Sequence, residues 1–114
     1  QTVEVGAAPR GIAVGDGSAW VTLRDDRQLV RIDQRTGEVQ ARIDLDGQPW
    51  PVAFGGGFVW VATLEGRLLQ VDPASDEVIA DAEIGPEPRA VAVGLGAVWV
   101  AGQAGTLARV ALPD

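Results

Sequence analysis

Three times in this chain the same phrase returns, and repetition at a fixed spacing limits the fold more tightly than any local pattern. Residues 9–22 read Pro-Arg-Gly-Ile-Ala-Val-Gly-Asp-Gly-Ser-Ala-Trp-Val-Thr. Residues 49–62 read Pro-Trp-Pro-Val-Ala-Phe-Gly-Gly-Gly-Phe-Val-Trp-Val-Ala, and residues 88–101 read Pro-Arg-Ala-Val-Ala-Val-Gly-Leu-Gly-Ala-Val-Trp-Val-Ala. Trp20, Trp60 and Trp99 mark the same beat, at steps of 40 and 39 residues. That is the period of a four-stranded propeller blade, the smallest unit that repeats in such a ring.

Composition agrees with short strands and tight turns. Fifteen glycines and seven prolines stand against four Trp and two Phe, and 46% hydrophobic content excludes a disordered chain. The length is that of one small domain. No apolar run reaches the roughly 18 residues of a membrane span, and no secretory leader opens the sequence. A start at Gln1 and the lack of Met lead us to expect a processed or excised segment, which leaves localisation open. The near regularity of the copies is equally that of an engineered or recently amplified repeat.

What is missing bears on chemistry. There is no Cys and no His, and also no Tyr, Lys, Asn or Met. The commonest general base, the commonest nucleophile and the usual zinc ligands are therefore unavailable, and neither a cofactor nor a metal is expected. A net charge of -7 opposes nonspecific binding to nucleic acid or to an anionic membrane surface.

In order along the chain, the first cycle predicts an inner strand at Ile12 to Gly15, apolar on both faces as in a strand buried on both sides. A hairpin at Asp16-Gly17-Ser18 follows, then strands at Ala19 to Leu23, Gln28 to Asp33 and Glu38 to Leu45. The second cycle places strands at Val52 to Gly55, Phe58 to Thr63, Arg67 to Asp72 and Glu77 to Ile84. The third has only Val91 to Gly94, Ala97 to Gly102 and Thr106 to Ala111. Its fourth strand is supplied from the other end: Val3-Glu4-Val5 aligns with Ile43-Asp44-Leu45 and with Ala82-Glu83-Ile84, each ending four residues before the proline of the repeat. Residues 1–5 thus read as a displaced outer closing strand. Residues 1–114 form one three-blade unit whose repeats start near 9, 49 and 88.

The phrases Gly-Ile-Ala-Val-Gly-Asp-Gly-Ser-Ala-Trp-Val-Thr and Leu-Val-Arg-Ile-Asp-Gln-Arg-Thr-Gly-Glu-Val resemble the repeats of the YVTN and virginiamycin B lyase-like β-propellers. The resemblance covers essentially the whole chain. It implies an all-β propeller of the kind common in bacterial secreted proteins and extracytoplasmic sensor domains, a fold that hosts enzymes, sensors and scaffolds alike. Virginiamycin B lyase works with a metal and a catalytic histidine, and this chain has no histidine to match.

Three blades do not make an ordinary ring. Propellers typically close with four to eight blades, and an open three-blade stack leaves two apolar faces in water. The economical solution is a homodimer forming six blades about a twofold axis, with residues 1–5 of each chain pairing with Thr106 to Ala111 of the other. A fragment of a longer propeller and a nine-blade trimer are the alternatives.

Two sets of residues stand out. Trp20, Trp60 and Trp99 share one blade position among apolar neighbours, which favours structural packing between blades over a stacking platform for a quinone or sugar. Arg10, Trp50 and Arg89 share the position after the repeat's proline, where loops reach the mouth of the channel. In a dimer they make a ring of four Arg and two Trp, suited to a small anionic or aromatic acid ligand. The simpler reading pairs these arginines with Glu4, Asp44, Asp46, Glu83 or Glu87, and it is the favoured one of the two.

The loops at 24–27, 64–67 and 102–105 are expected at the same end. At the other, Asp33 and Asp72 read as turn caps rather than calcium ligands. Gly15-Asp16-Gly17 and Gly55-Gly56-Gly57 join strands, with no helix to complete a phosphate loop. An enzyme would have to rely on Asp25, Asp26 and Glu65 with Arg. The expected function is a non-enzymatic scaffold or interaction module that self-assembles into a closed ring, with a ligand-binding or sensor domain as the alternative and a lyase-like enzyme last.

Overall fold

The computed structural model describes residues 1–103 and 105–113. The loop expected at 102–105 therefore lies partly outside the described residues. Eleven strands and no helix make up the described fold: β1 Pro9–Gly15, β2 Ser18–Leu23, β3 Gln28–Asp33, β4 Val39–Asp44, β5 Pro49–Gly55, β6 Phe58–Thr63, β7 Arg67–Asp72, β8 Glu77–Glu83, β9 Pro88–Gly94, β10 Ala97–Gly102 and β11 Leu107–Ala111. They form three antiparallel meanders, β1-β2-β3-β4, β5-β6-β7-β8 and the three-stranded β9-β10-β11. The innermost strands lie side by side, with β5 between β1 and β9.

Each inner hairpin turns on two residues with positive φ. These are Asp16-Gly17, Gly56-Gly57 and Leu95-Gly96, the geometry whose twist matches that of the flanking strands. Glycine serves a different purpose just before each turn. A Cβ on Gly15 would lie 2.2 Å from the Phe54 ring, and one on Gly55 would lie 2.5 Å from Val93. The missing side chain is what lets each sheet seat on the next. The carbonyls of the same glycines accept the indole N–H of Trp20 at 3.1 Å and of Trp60 at 3.0 Å, so no polar atom of the indole is buried unpaired.

Alternation along the strands puts a distinct row on each face. Between the first and second sheets lie Trp20, Leu29, Ile43 and Leu45 against Val59, Val61, Leu69 and Val71. Between the second and third lie Trp60, Ala62 and Leu68 against Val98 and Val100. Burial of each such side chain is worth roughly 1.5 to 3 kcal/mol. The middle sheet is the one covered on both faces.

Within one chain residues 1–5 carry no strand pairing: they lie against the first sheet, while β11, the strand they are expected to meet on a second copy, belongs to the third. Val5 packs on Val21, Leu23, Val30 and Ile32, and its carbonyl accepts a hydrogen bond from Arg42 Nη1 at 2.7 Å. Nor is β1 buried on both sides. Ile12 and Val14 are 67% and 62% exposed, since they face outward from the first sheet, where the chain places no further sheet. The inner strands also start earlier than expected, at Pro9, Pro49 and Pro88.

Candidate functional site

Gly11 begins the site. A Cβ there would sit 2.4 Å from the Trp50 carbonyl, so its absence allows β1 to approach β5 closely. Thr22, the cross-strand partner of Gly11 on β2, donates its hydroxyl to that same carbonyl at 2.8 Å and ties β5 to the first sheet. Consequently the residue before Gly11 meets the side chain of Trp50. The Arg10 guanidinium carbon lies 5.3 Å from the Trp50 ring centroid, and that of Arg89, arriving from β9, lies 4.9 Å from it.

The structure thus brings Arg10, Trp50 and Arg89 together as one cluster with the indole at its centre. Among the described residues neither arginine forms an ion pair, so Glu4, Asp44, Asp46, Glu83 and Glu87 do not neutralise them. Arg89 Nη2 instead donates to Gln103 Oε1. Stacking over an aromatic face uses the guanidinium's flat side and leaves its in-plane N–H donors available. Arg10 donates no hydrogen bond from its side chain among the described residues. The arrangement is two guanidinium groups beside one indole, neither in an ion pair among the described residues.

The variable loops do lie at this end. Arg24 N–H donates to Ala8 O, Leu64 N–H to Gln48 O and Gln103 N–H to Glu87 O, each tying a loop to the segment that leads into an inner strand. Of the three carboxylates considered for acid-base work, Asp25 pairs with Arg24 at 3.1 Å, Glu65 accepts from the Gln48 N–H at 2.9 Å, and Asp26 forms no ion pair among the described residues. At the opposite end Asp33 Oδ1 accepts from the N–H groups of Arg35 and Thr36, and Asp72 Oδ1 from that of Ala74. Those bonds hold the Asp33 carboxyl below the usual aspartate range. Trp20 and Trp60 are buried between sheets, while Trp99 is half-buried on the open face of the third, its indole bonded to Gly94 O at 3.0 Å.

One polar centre was not anticipated from the sequence. Arg31 lies over Trp20 and ties the first sheet to the second: it donates to Ser18 Oγ at 2.8 Å and the Pro73 carbonyl at 2.6 Å, and it bridges Asp16 at 3.0 Å and Asp76 at 2.8 Å. The equivalent residues are Gln70 and Arg109. Arg109 lies over Trp99 in the same manner, at 5.6 Å, but forms no ion pair among the described residues. The signal was present in the alignment of the copies, where Arg recurs opposite Trp in two of three.

No family model matches the chain, and no curated protein matches it in sequence. Solved structures do. Over 89% of its length it is similar to hydrazine synthase of Kuenenia stuttgartiensis, with a TM-score of 0.80 and 18% identity. Over 90% it is similar to BamB of Moraxella catarrhalis, at 0.76 and 20%, and to glutaminyl cyclase of Myxococcus xanthus, at 0.70 and 9%. These neighbours are β-propeller proteins. The architecture is propeller-like. The chain spans 31%, 33% and 47% of those three chains, so the likeness concerns the fold and a part of each ring.

Proposed function

We propose that this protein is a non-enzymatic propeller module whose open end blades close against a second copy, giving a six-bladed ring. The observation that carries the reading is a mismatch among equivalent glycines. Gly15 and Gly55 are each pressed by a residue of the next blade, Phe54 and Val93, whereas a Cβ on Gly94 would meet nothing within 4 Å. The residue equivalent to Phe54 and Val93 on the first blade is Val14, which is exposed. The chain therefore carries a vacant socket at one end and an unseated plug at the other.

The closing strand fits the same logic. Leu45 and Ile84 are packed on the blade that follows each, and Val5, their equivalent, already rests on the first blade as they do on theirs. The N–H of Leu45 donates to Arg27 O and that of Ile84 to Gly66 O. The corresponding acceptor for Val5 is Gly105 O of another copy. An apolar cleft of about 180 Å³, between β8 and β11 and lined by Trp60, Ala80, Ala82 and Val110, borders the place a fourth strand on β11 would take.

Light scattering after size exclusion, over a range of concentrations, tests the reading. A mass twice that of one chain is expected, and Gly94→Leu and Val14→Asp should each give a folded single copy with the parent's circular dichroism. A parent that stays single at every concentration would overturn it, and a tripled mass would favour nine blades.

A second reading is favoured by the two unneutralised arginines on Trp50: a binding site for small aromatic acids at the channel mouth. Quenching of Trp fluorescence by such acids, absent in Trp50→Phe, is the expected result. Titrations that never saturate would exclude it.

A further inference from the structure

Within one chain every mouth arginine has the indole of Trp50 beside it, Arg10 on β1 and Arg89 on β9. Closing two copies into a ring, the arrangement proposed above on which this inference rests, changes the sequence of side chains around the mouth. The order becomes Arg10, Trp50, Arg89, then Arg10, Trp50 and Arg89 of the second copy. At each of the two junctions Arg89 adjoins Arg10 of the other copy, one blade step away and with no aromatic ring between. We propose that each junction is a binding site for a small oxyanion of the phosphate or sulfate class, half supplied by each copy, and that filling it promotes ring closure.

The chemistry follows from what each guanidinium already does. Neither is neutralised by a carboxylate of the described residues, and the Trp50 ring and Gln103 hold Arg89 in one orientation. Two adjacent cations repel, and that repulsion opposes closure at the mouth while apolar burial at Gly94 and Val14 favours it. An oxyanion placed between them accepts N–H donors from both forks, converting the repulsion into two charge-assisted contacts. Because a single chain holds only half of each site, the anion binds the ring better than the open chain. Mass action then makes assembly depend on anion concentration. Two carboxylates of this end are already engaged, Asp25 with Arg24 and Glu65 with the Gln48 N–H, and none forms an ion pair with Arg10 or Arg89 among the described residues.

The test is sedimentation of the intact chain in low-millimolar inorganic phosphate against sodium chloride at matched ionic strength, a range too dilute for general salting-out. With two sites per ring, the dissociation constant of the ring should fall by up to roughly 100-fold for each tenfold rise in phosphate. Arg89→Gln should abolish that dependence and assemble at least as tightly as the parent without phosphate, while Arg35→Gln, at a distant turn, should keep it. A ring that forms with no response to phosphate would overturn the inference and leave the assembly standing. An unchanged response in Arg89→Gln would overturn it as well. A chain that stays single at all phosphate concentrations would remove both.

Discussion

The guanidinium of Arg31 lies 4.7 Å from the ring centroid of Trp20, and from that position it crosses to the second blade. With its side chain only 14% exposed, it contacts two carboxylates, a serine hydroxyl and a backbone carbonyl at once. Arg31→Ala should cost about 2 kcal/mol in urea unfolding, the combined scale of a desolvated cation–π contact and lost charged hydrogen bonds. Arg31→Lys should recover less than half, because one ammonium cannot reach acceptors on both blades as the planar fork does. Full recovery by Lys would contradict that account.

The equivalent tryptophans should not be equivalent energetically. In a Val14→Asp background, which keeps the chain as a single copy, Trp60→Ala should cost roughly 3 to 5 kcal/mol through the cavity it leaves between two blades. Trp99 lies on a face no blade covers, so Trp99→Ala should cost roughly 1 to 2 kcal/mol. Equal losses in urea would show that Trp99 is packed as the others are.

Leu95 occupies a hairpin position with φ of 54°, where the other copies carry Asp16 and Gly56. A left-handed conformation costs an L-residue with a bulky side chain roughly 1 to 2 kcal/mol, and the side chain is 92% exposed, so it has no packing to lose. Leu95→Asn should stabilise the protein by about 1 kcal/mol. An unchanged urea midpoint would count against the strain.

Asp33 accepts two backbone N–H bonds as a carboxylate, and its folded pKa is lowered below the ordinary 3.8 mainly by those to Thr36 and Arg35. A lowered folded value means the charged form favours the native state. The contribution is complete above about pH 5, where the unfolded carboxyl is ionised, and is lost progressively as pH falls through the folded value. The difference in urea midpoint between the parent and Asp33→Asn should therefore be largest near neutrality and shrink in acid. A constant difference from pH 7 to pH 3 would assign the effect to something other than charge.

Much of this architecture was readable from the repeat. The bounds of β3, β6, β7 and β10 coincide with those expected, because each is a short apolar-rich run closed by Asp, Gly or Thr at a turn. The inner strands begin three residues earlier than their apolar runs suggest. An innermost strand has a free edge, so Pro9, Pro49 and Pro88 start strands without costing a ladder bond, and register shifts follow Pro9 and Pro49. The convergence of Arg10, Trp50 and Arg89 was legible from their shared position. Their lack of carboxylate partners was not, since it depends on where Glu87 and Asp46 point. Exposure of Ile12 and Val14 was equally hidden, because periodicity reports that a face is apolar and not whether this chain covers it.

The middle blade's double cover implies an unequal resistance to local opening. In a stack where each unit leans only on its neighbours, the terminal units open first. Amide hydrogens of β6 and β7 should thus exchange with deuterium more slowly than those of β2, β3 and β10 while the chain is alone. Ring closure gives every blade two neighbours, and the exchange rates of the three blades should then converge. The chain would change from a graded stack into a single cooperative unit by meeting its own copy.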